Sequence, residues 1–293
     1  MLRRFSLYGF FKNQLYYDPF LILAFRQMGL SCFGIGILIA FREMTVTLME
    51  VPSGAVADLF GRRKSMILSF AAYMVSFAAM GGAGLAKMEG HINAGALMPI
   101  LFGAMAFFAV GDAFRTGTHK AMIFTWLRLQ GRESERTKIY GYTRSWSKIG
   151  SAVSVVLAAA FVFATSNYVY IFFFSIIPYI LNIINFLGYP KELDGDIKKG
   201  TTVREVVVHL REALTVSIKQ SSLRRLILES MGFEGFFKAA KDYLQPIVEL
   251  AAVPLTAALL LGDRLDRPQQ AAPLVGPVYF VLYLPVRFLS FYI

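Results

Sequence analysis

Charged side chains stand inside stretches that are otherwise apolar, and they are the residues of this chain best placed to do chemistry. Arg42 and Glu43 interrupt one such stretch and Asp112 and Arg115 a second, while Glu234, Lys238, Lys241 and Asp242 fall in a third. In a fourth, Lys12, Asn13, Tyr16, Tyr17 and Asp18 precede Pro19. Carboxylates so placed can take up and release a proton, and guanidinium or ammonium groups can hold an anion. Placing only Arg42, Glu43, Asp112, Arg115, Glu234 and Lys238 in lipid without partners would cost on the order of 15 kcal/mol. They must pair with one another, line a hydrated cavity, or do both.

Helical spacing groups these residues further. Glu43, Thr47, Glu50, Gly54 and Asp58 fall along one stripe, and Glu234, Lys238, Lys241 and Gln245 along another. Asp112, Arg115 and His119 are spaced i, i+3, i+7 and share one face. The Asp112 and Arg115 pair suits either of two tasks, holding helices together or coupling to an ion. The polar run from Lys12 to Asp18 suits a hinged pathway helix or an interfacial anchor. Arg144, Trp146 and Lys148 read as anchors at the start of a span.

The elements that position these groups follow from composition. Of 293 residues, 56% are hydrophobic and 17% charged, a membrane-protein balance. The single Cys32 excludes a disulfide framework, and His91, His119 and His209 match no metal-ligand spacing. No metal and no cofactor is expected. There is no His-Glu-x-x-His helix, no Gly-x-Ser-x-Gly turn and no phosphate-cradling Gly-x-x-x-x-Gly-Lys loop, so an enzyme is not expected either. The net charge of +11 is carried by short loops between apolar runs, which points to membrane orientation and away from nucleic acid. Lys12 and Asp18 interrupt the first apolar run, which reads as a span and not as a cleaved leader.

A bilayer core of ~30 Å needs about 20 apolar residues per helix. Residues 6–27, 32–58, 65–86, 94–122, 226–250 and 270–292 each suffice for one crossing. Residues 149–189 contain no charge and are long enough for two, with a polar break at Thr165, Ser166 and Asn167 that predicts a helical hairpin. The count is eight. Basic residues gather at Arg62, Arg63 and Lys64, at Arg128, Arg132, Arg136 and Lys138, and between Lys191 and Arg225, which places the N-terminus and these loops in the cytoplasm. Between 190 and 222, Val203, Val207, Leu210 and Leu214 predict a short amphipathic helix in the longest polar connection.

The second and third spans are joined by Gly54-Ala55-Val56-Ala57-Asp58-Leu59-Phe60-Gly61-Arg62-Arg63-Lys64. Gly54 permits close backbone approach, Gly61 a tight turn, and Asp58 can pair with Arg62 or cap a facing helix. The spacing Gly-x-x-x-Asp-x-x-Gly-Arg-Arg resembles the signature loop of the major facilitator superfamily, which lies on the cytoplasmic side between these two helices. The resemblance implies an all-α, polytopic membrane helix bundle: six helices in an N-terminal half (1–189), a cytoplasmic linker (190–222) and the first two helices of a C-terminal half (223–293). Members usually have twelve spans, so the chain reads as truncated after the eighth, with missing helices or another chain needed to complete the bundle. Gly9-Phe10-Phe11-Lys12 recurs as Gly235-Phe236-Phe237-Lys238, followed by Pro19 and Pro246 respectively, as two related halves would have it.

The resemblance further implies a secondary active transporter of a small organic solute that works by alternating access, a symporter or antiporter coupled to H+. Gly54, Asp58, Gly61, Arg62 and Arg63 would gate, and Asp18, Arg42, Glu43, Asp112, Arg115, Glu234, Lys238 and Asp242 would form the substrate or proton pathway. Cationic side chains suit an anionic solute, whereas the abundant aromatics suit a lipophilic one. The setting would be a bacterial-type plasma (inner) membrane. A non-transporting receptor or scaffold, or an inactive fragment of a transporter, is the alternative.

Overall fold

The computed structural model describes residues 1–194, 219–259 and 265–283, with isolated positions between. The side chains of 50–52, 55–56, 58–60, 94, 223, 226–227, 230–241, 257, 259 and 282–283 lie outside that description. The amphipathic helix predicted near Val203 to Leu214 falls mostly outside it as well.

Every regular element among the described residues is helical. The first span is broken: α1 (Leu2–Lys12) ends in a turn, a 3-10 turn covers Asp18–Phe20, and α2 (Leu21–Gln27) resumes the crossing. Pro19 fits the interruption: it has no N–H to offer the carbonyl four residues back, and it stands in the first turn of the new helical segment, where that donor is not needed. Next come α3 (Cys32–Phe60) and α4 (Arg62–Met88), split by Gly61 at φ +94°, a conformation in which a β-carbon is strained. The fourth span is α5 (Ala94–Arg115) and α6 (Thr118–Leu129), parted at Gly117 with φ +76°. Then follow α7 (Arg136–Thr165), α8 (Tyr170–Phe174), α9 (Ile177–Leu187), α10 (Ser221–Leu259) and α11 (Arg267–Tyr283).

The predicted hairpin is present, since α7 stops at Thr165 and Ser166 takes a left-handed φ of +53°. The repeat fares differently. Pro19 breaks its span, whereas Pro246 and Pro254 lie inside the continuous α10. Neighbouring helices in a bundle can re-satisfy the backbone groups such prolines free, so the same residue type need not break both helices.

Among the described residues, five stretches are long and apolar enough to cross a bilayer: Cys32–Met49, Arg62–Met88, Gly95–Leu129, Glu133–Thr165 and Tyr170–Leu187. Large apolar side chains point outward on them, among them Phe33, Leu68, Val156, Ile184 and Leu187. In water such a surface would be a liability; in lipid it is the expected one. Inside, aromatic rings dominate, with Phe5, Phe20, Phe25, Phe70, Phe77, Phe172 and Phe186 fully buried.

Lipid supplies little hydrophobic drive between helices, so contact relies on small residues and interhelical hydrogen bonds. The Ser69 and Ser76 hydroxyls of α4 donate to the carbonyls of Gly111 and Ala104 on α5, each at 2.7 Å. Across the molecule, α1 rests on α7 through Gly150, where a β-carbon would come within 2.4 Å of the Phe10 carbonyl oxygen.

Candidate functional site

Two of the broken spans open a cavity of about 190 Å³ inside the bundle. Asp18 from the first span, Arg42 and Glu43 from α3, Asp112 and Arg115 from α5, and Asp242 from α10 all line it, together with Lys12. Six of the eight residues predicted for a substrate or proton pathway are thus brought to one place. The side chains of the other two, Glu234 and Lys238, lie outside the described residues, as does that of Asp58.

The pairing anticipated from lipid energetics is realised. Arg42, buried, donates through Nε to Glu43 Oε1 at 2.9 Å, and its Nη2 lies 2.7 Å from the same oxygen and 3.8 Å from Asp242 Oδ2. Its guanidinium also stands 5.3 Å from the Phe108 ring centroid. Arg115 pairs with Asp112, and Tyr73 joins the two: its hydroxyl donates to Asp112 Oδ1 at 2.9 Å and accepts from Arg115 Nε at 3.3 Å. Three cations thus face four carboxylates in a small volume, a near balance of charge.

A second cavity of about 440 Å³ shares Lys12, Asn13 and Arg115 with the first. It extends between α1, the α5–α6 break and α7, towards the end of the bundle that holds the α1 N-terminus and the start of α7. Lys120, Arg144 and Lys148 join Lys12 and Arg115 in its lining, so two residues read as boundary anchors, Arg144 and Lys148, also face this space. The single face predicted for Asp112, Arg115 and His119 is corrected by the turn at Gly117, which separates His119 from the other two. His119 is buried against Tyr8, with ring centroids 3.8 Å apart, and near Phe5 at 5.5 Å.

Among the described residues, the seventh span meets the first half, beyond the Arg42–Asp242 pair, through Tyr243, Gln245 and Glu249, towards the end of the bundle that holds the start of α3. The most informative is Gln245, fully buried on α10. Its Nε2 donates to the Asp18 carbonyl at 2.7 Å and its Oε1 accepts from the Ile22 N–H at 2.8 Å. An uninterrupted helix would join that carbonyl and that N–H to each other. Gln245 is therefore wedged into the ladder of the first span and satisfies both groups. Tyr243 adds a bond from its hydroxyl to the Cys32 carbonyl at 2.7 Å. Near the loops, Glu249 accepts from the Tyr168 hydroxyl at 3.3 Å and meets Arg267 at 3.2 Å.

The signature loop is held at the opposite end. Arg62 donates to Thr125 Oγ1 on α6 at 2.8 Å, and Arg63 donates to the Tyr189 carbonyl at 3.1 Å. Asp194, which the sequence reading passed over, accepts from the Arg63 backbone N–H at 2.6 Å and so caps α4. Gly61 makes the expected turn. At Gly54, which is exposed, a β-carbon would meet nothing within 4 Å among the described residues.

No curated protein matches the chain. Among solved structures it is similar to a crystal structure of the peptide transporter POT, determined for a mutant, at 15% sequence identity and a TM-score of 0.49. That likeness covers 89% of this chain and 52% of the other, so the chain spans about half the length of that transporter. The model of the Major Facilitator Superfamily matches residues 8–289, and the chain, an integral multi-pass membrane protein, belongs to that superfamily.

Proposed function

We propose that these residues form part of a secondary active transporter that moves a small organic solute by alternating access, with protons as the coupling ion. The observation that carries the reading is the gathering of charges from the first, second, fourth and seventh spans around one internal cavity. A proton arriving at Asp18, Glu43, Asp112 or Asp242 removes a negative charge from a nearly balanced set, which changes how strongly the cations can hold a solute. The Gln245 and Tyr243 contacts support a state closed at the far end, while the larger cavity supports an opening at the end holding the signature loop. In this proposal 1–189 is the N-terminal bundle, 190–222 the cytoplasmic linker and 223–293 the start of a second bundle completed by further helices, with the N-terminus in the cytoplasm of a bacterial-type inner membrane. Gly54, Asp58, Gly61, Arg62 and Arg63 belong to the cytoplasmic gate, and Glu234 and Lys238 to the pathway.

The test is solute-driven proton movement in proteoliposomes loaded with a pH-sensitive dye, scanned with anions, zwitterions and lipophilic cations. Saturable acidification or alkalinisation that Asp112→Asn abolishes is the expected result. Saturable solute flux indifferent to pH gradient and membrane potential would replace coupling by facilitated diffusion. Absence of flux for every solute would favour the receptor, scaffold or inactive-fragment reading.

A further inference from the structure

The larger cavity differs from the smaller one in a way that bears on what is carried. Lys12, Arg115, Lys120, Arg144 and Lys148 line it, and among the described residues no carboxylate does. Among the described residues Lys12, Lys120, Arg144 and Lys148 form no ion pair. Three of them rest instead on aromatic faces: Lys12 Nζ lies 6.0 Å from the Tyr8 ring centroid, Lys120 Nζ 5.4 Å from that of Tyr140, and the Arg144 guanidinium 5.9 Å from that of Tyr140. An aromatic face steadies a cation without neutralising it, so the positive potential of this space stays available to a visitor.

Thr116, Ser147 and Ser151 complete the lining, and their hydroxyls donate to the carbonyls of Asp112, Thr143 and Ser147, so the cations are the groups left to hold an anion. A volume of about 440 Å³ is that of a site for a small organic molecule. Lys12 and Arg115 also line the mixed-charge cavity, so an anion held between them would touch both the basic chamber and the carboxylates that bind protons.

We propose that the solute is a small organic anion with two or more negative charges, held by Lys12 and Arg115 and drawn inward by Lys120, Arg144 and Lys148. This rests on the transporter reading and names the class of its substrate. Proton coupling then has a chemical sense: protonating a carboxylate beside Arg115 frees that guanidinium for the anion, and deprotonation reclaims it. A phosphate in a lipid headgroup offers the same chemistry as a soluble phosphate, so the experiment must separate the two sources.

The probes are glycerol phosphate, succinate and citrate as anions, dialanine as zwitterion and tetraphenylphosphonium as lipophilic cation. Thermal stabilisation and counterflow are measured in phosphatidylcholine vesicles, and again with phosphatidylglycerol added. Stabilisation by at least one of the anions and by neither of the other probes is expected, with the affinity falling about tenfold or more in Lys12→Gln and in Arg144→Gln and largely kept in Lys12→Arg. Melting temperatures without probe show whether each variant is folded. Binding of dialanine or tetraphenylphosphonium with no response to the anions would overturn the substrate class and leave the transporter reading standing. Stabilisation by phosphatidylglycerol alone would overturn it in favour of a lipid site, and anion affinity unchanged in folded Lys12→Gln and Arg144→Gln would overturn the assigned residues. Anions that bind yet never move would leave the anion site standing and count against transport.

Discussion

Replacing Gln245 by leucine removes two hydrogen bonds to the first span, besides a contact with the Tyr279 hydroxyl, while keeping much of the side-chain volume. One is to the Asp18 carbonyl at 2.7 Å and one from the Ile22 N–H at 2.8 Å, both in the break of the first span. Interhelical hydrogen bonds in bilayers are worth about 0.6 kcal/mol on average and about 1.7 at most, so the pair together contributes roughly 1–3 kcal/mol. The loss has a route to partial recovery, because the freed carbonyl and N–H can close on each other and straighten the helix. Two readouts are therefore needed. Thermal unfolding in detergent should fall by roughly 2–8 °C, on the scaling for domains of this size. Amide hydrogen exchange should change at Ile22 in either event, slower if the helix closes and faster if it stays open. If Gln245→Leu leaves both the melting temperature and the exchange of residues 18–24 as they are, the wedge does not hold the break and its role as a contact between the halves is refuted.

Other perturbations follow from single contacts. Gly150→Leu should push α1 off α7, since even a β-carbon would lie 2.4 Å from the Phe10 carbonyl oxygen; a loss of about 1–3 kcal/mol, or failure to yield monodisperse protein on size exclusion, is expected. Asp194→Ala removes the cap on α4 and should cost about 1 kcal/mol, read as a lower melting temperature that Asp194→Asn largely restores. Asp112→Asn leaves Arg115 with the Tyr73 and Tyr8 hydroxyls and should destabilise by less than the roughly 3–5 kcal/mol of a fully buried pair, because both residues border a cavity. Cys32, the sole cysteine, is exposed at the start of α3, and a membrane-impermeant maleimide should modify it from outside intact cells; modification only after permeabilisation would reverse the topology.

What the residues disclosed in advance is what apolarity and local spacing encode. The hairpin turn at Ser166 follows from a polar triplet in the middle of an uncharged run, and the Gly61 turn follows from a glycine between two helical patterns. The meeting of Asp18, Arg42, Glu43, Asp112, Arg115 and Asp242 was legible because lipid penalises each of them alone, whatever the fold. Contacts between distant segments were not legible. Gln245 lies more than two hundred positions from the backbone groups it serves, and its spacing on the helix says only that it shares a stripe with charged residues. Arg144 and Lys148 carried the pattern of interfacial anchors, and only the packing of α7 on α1 turns them towards a cavity. The turn after Arg115 escaped notice because Gly117 sits in an otherwise helical pattern, and one glycine is compatible with a continuous helix.

The whole account depends on an internal chamber that holds water and is reached from each side of the membrane in turn. Asn13 lines both cavities, and it is the position at which that property is most directly read. Asn13→Cys in a Cys32→Ser background should react with a membrane-impermeant thiol reagent applied to either face of sealed, sidedness-controlled vesicles, and a carried solute should slow the reaction. A thiol at that position that reacts from neither face would mean a dry, packed interior and would contradict the carrier.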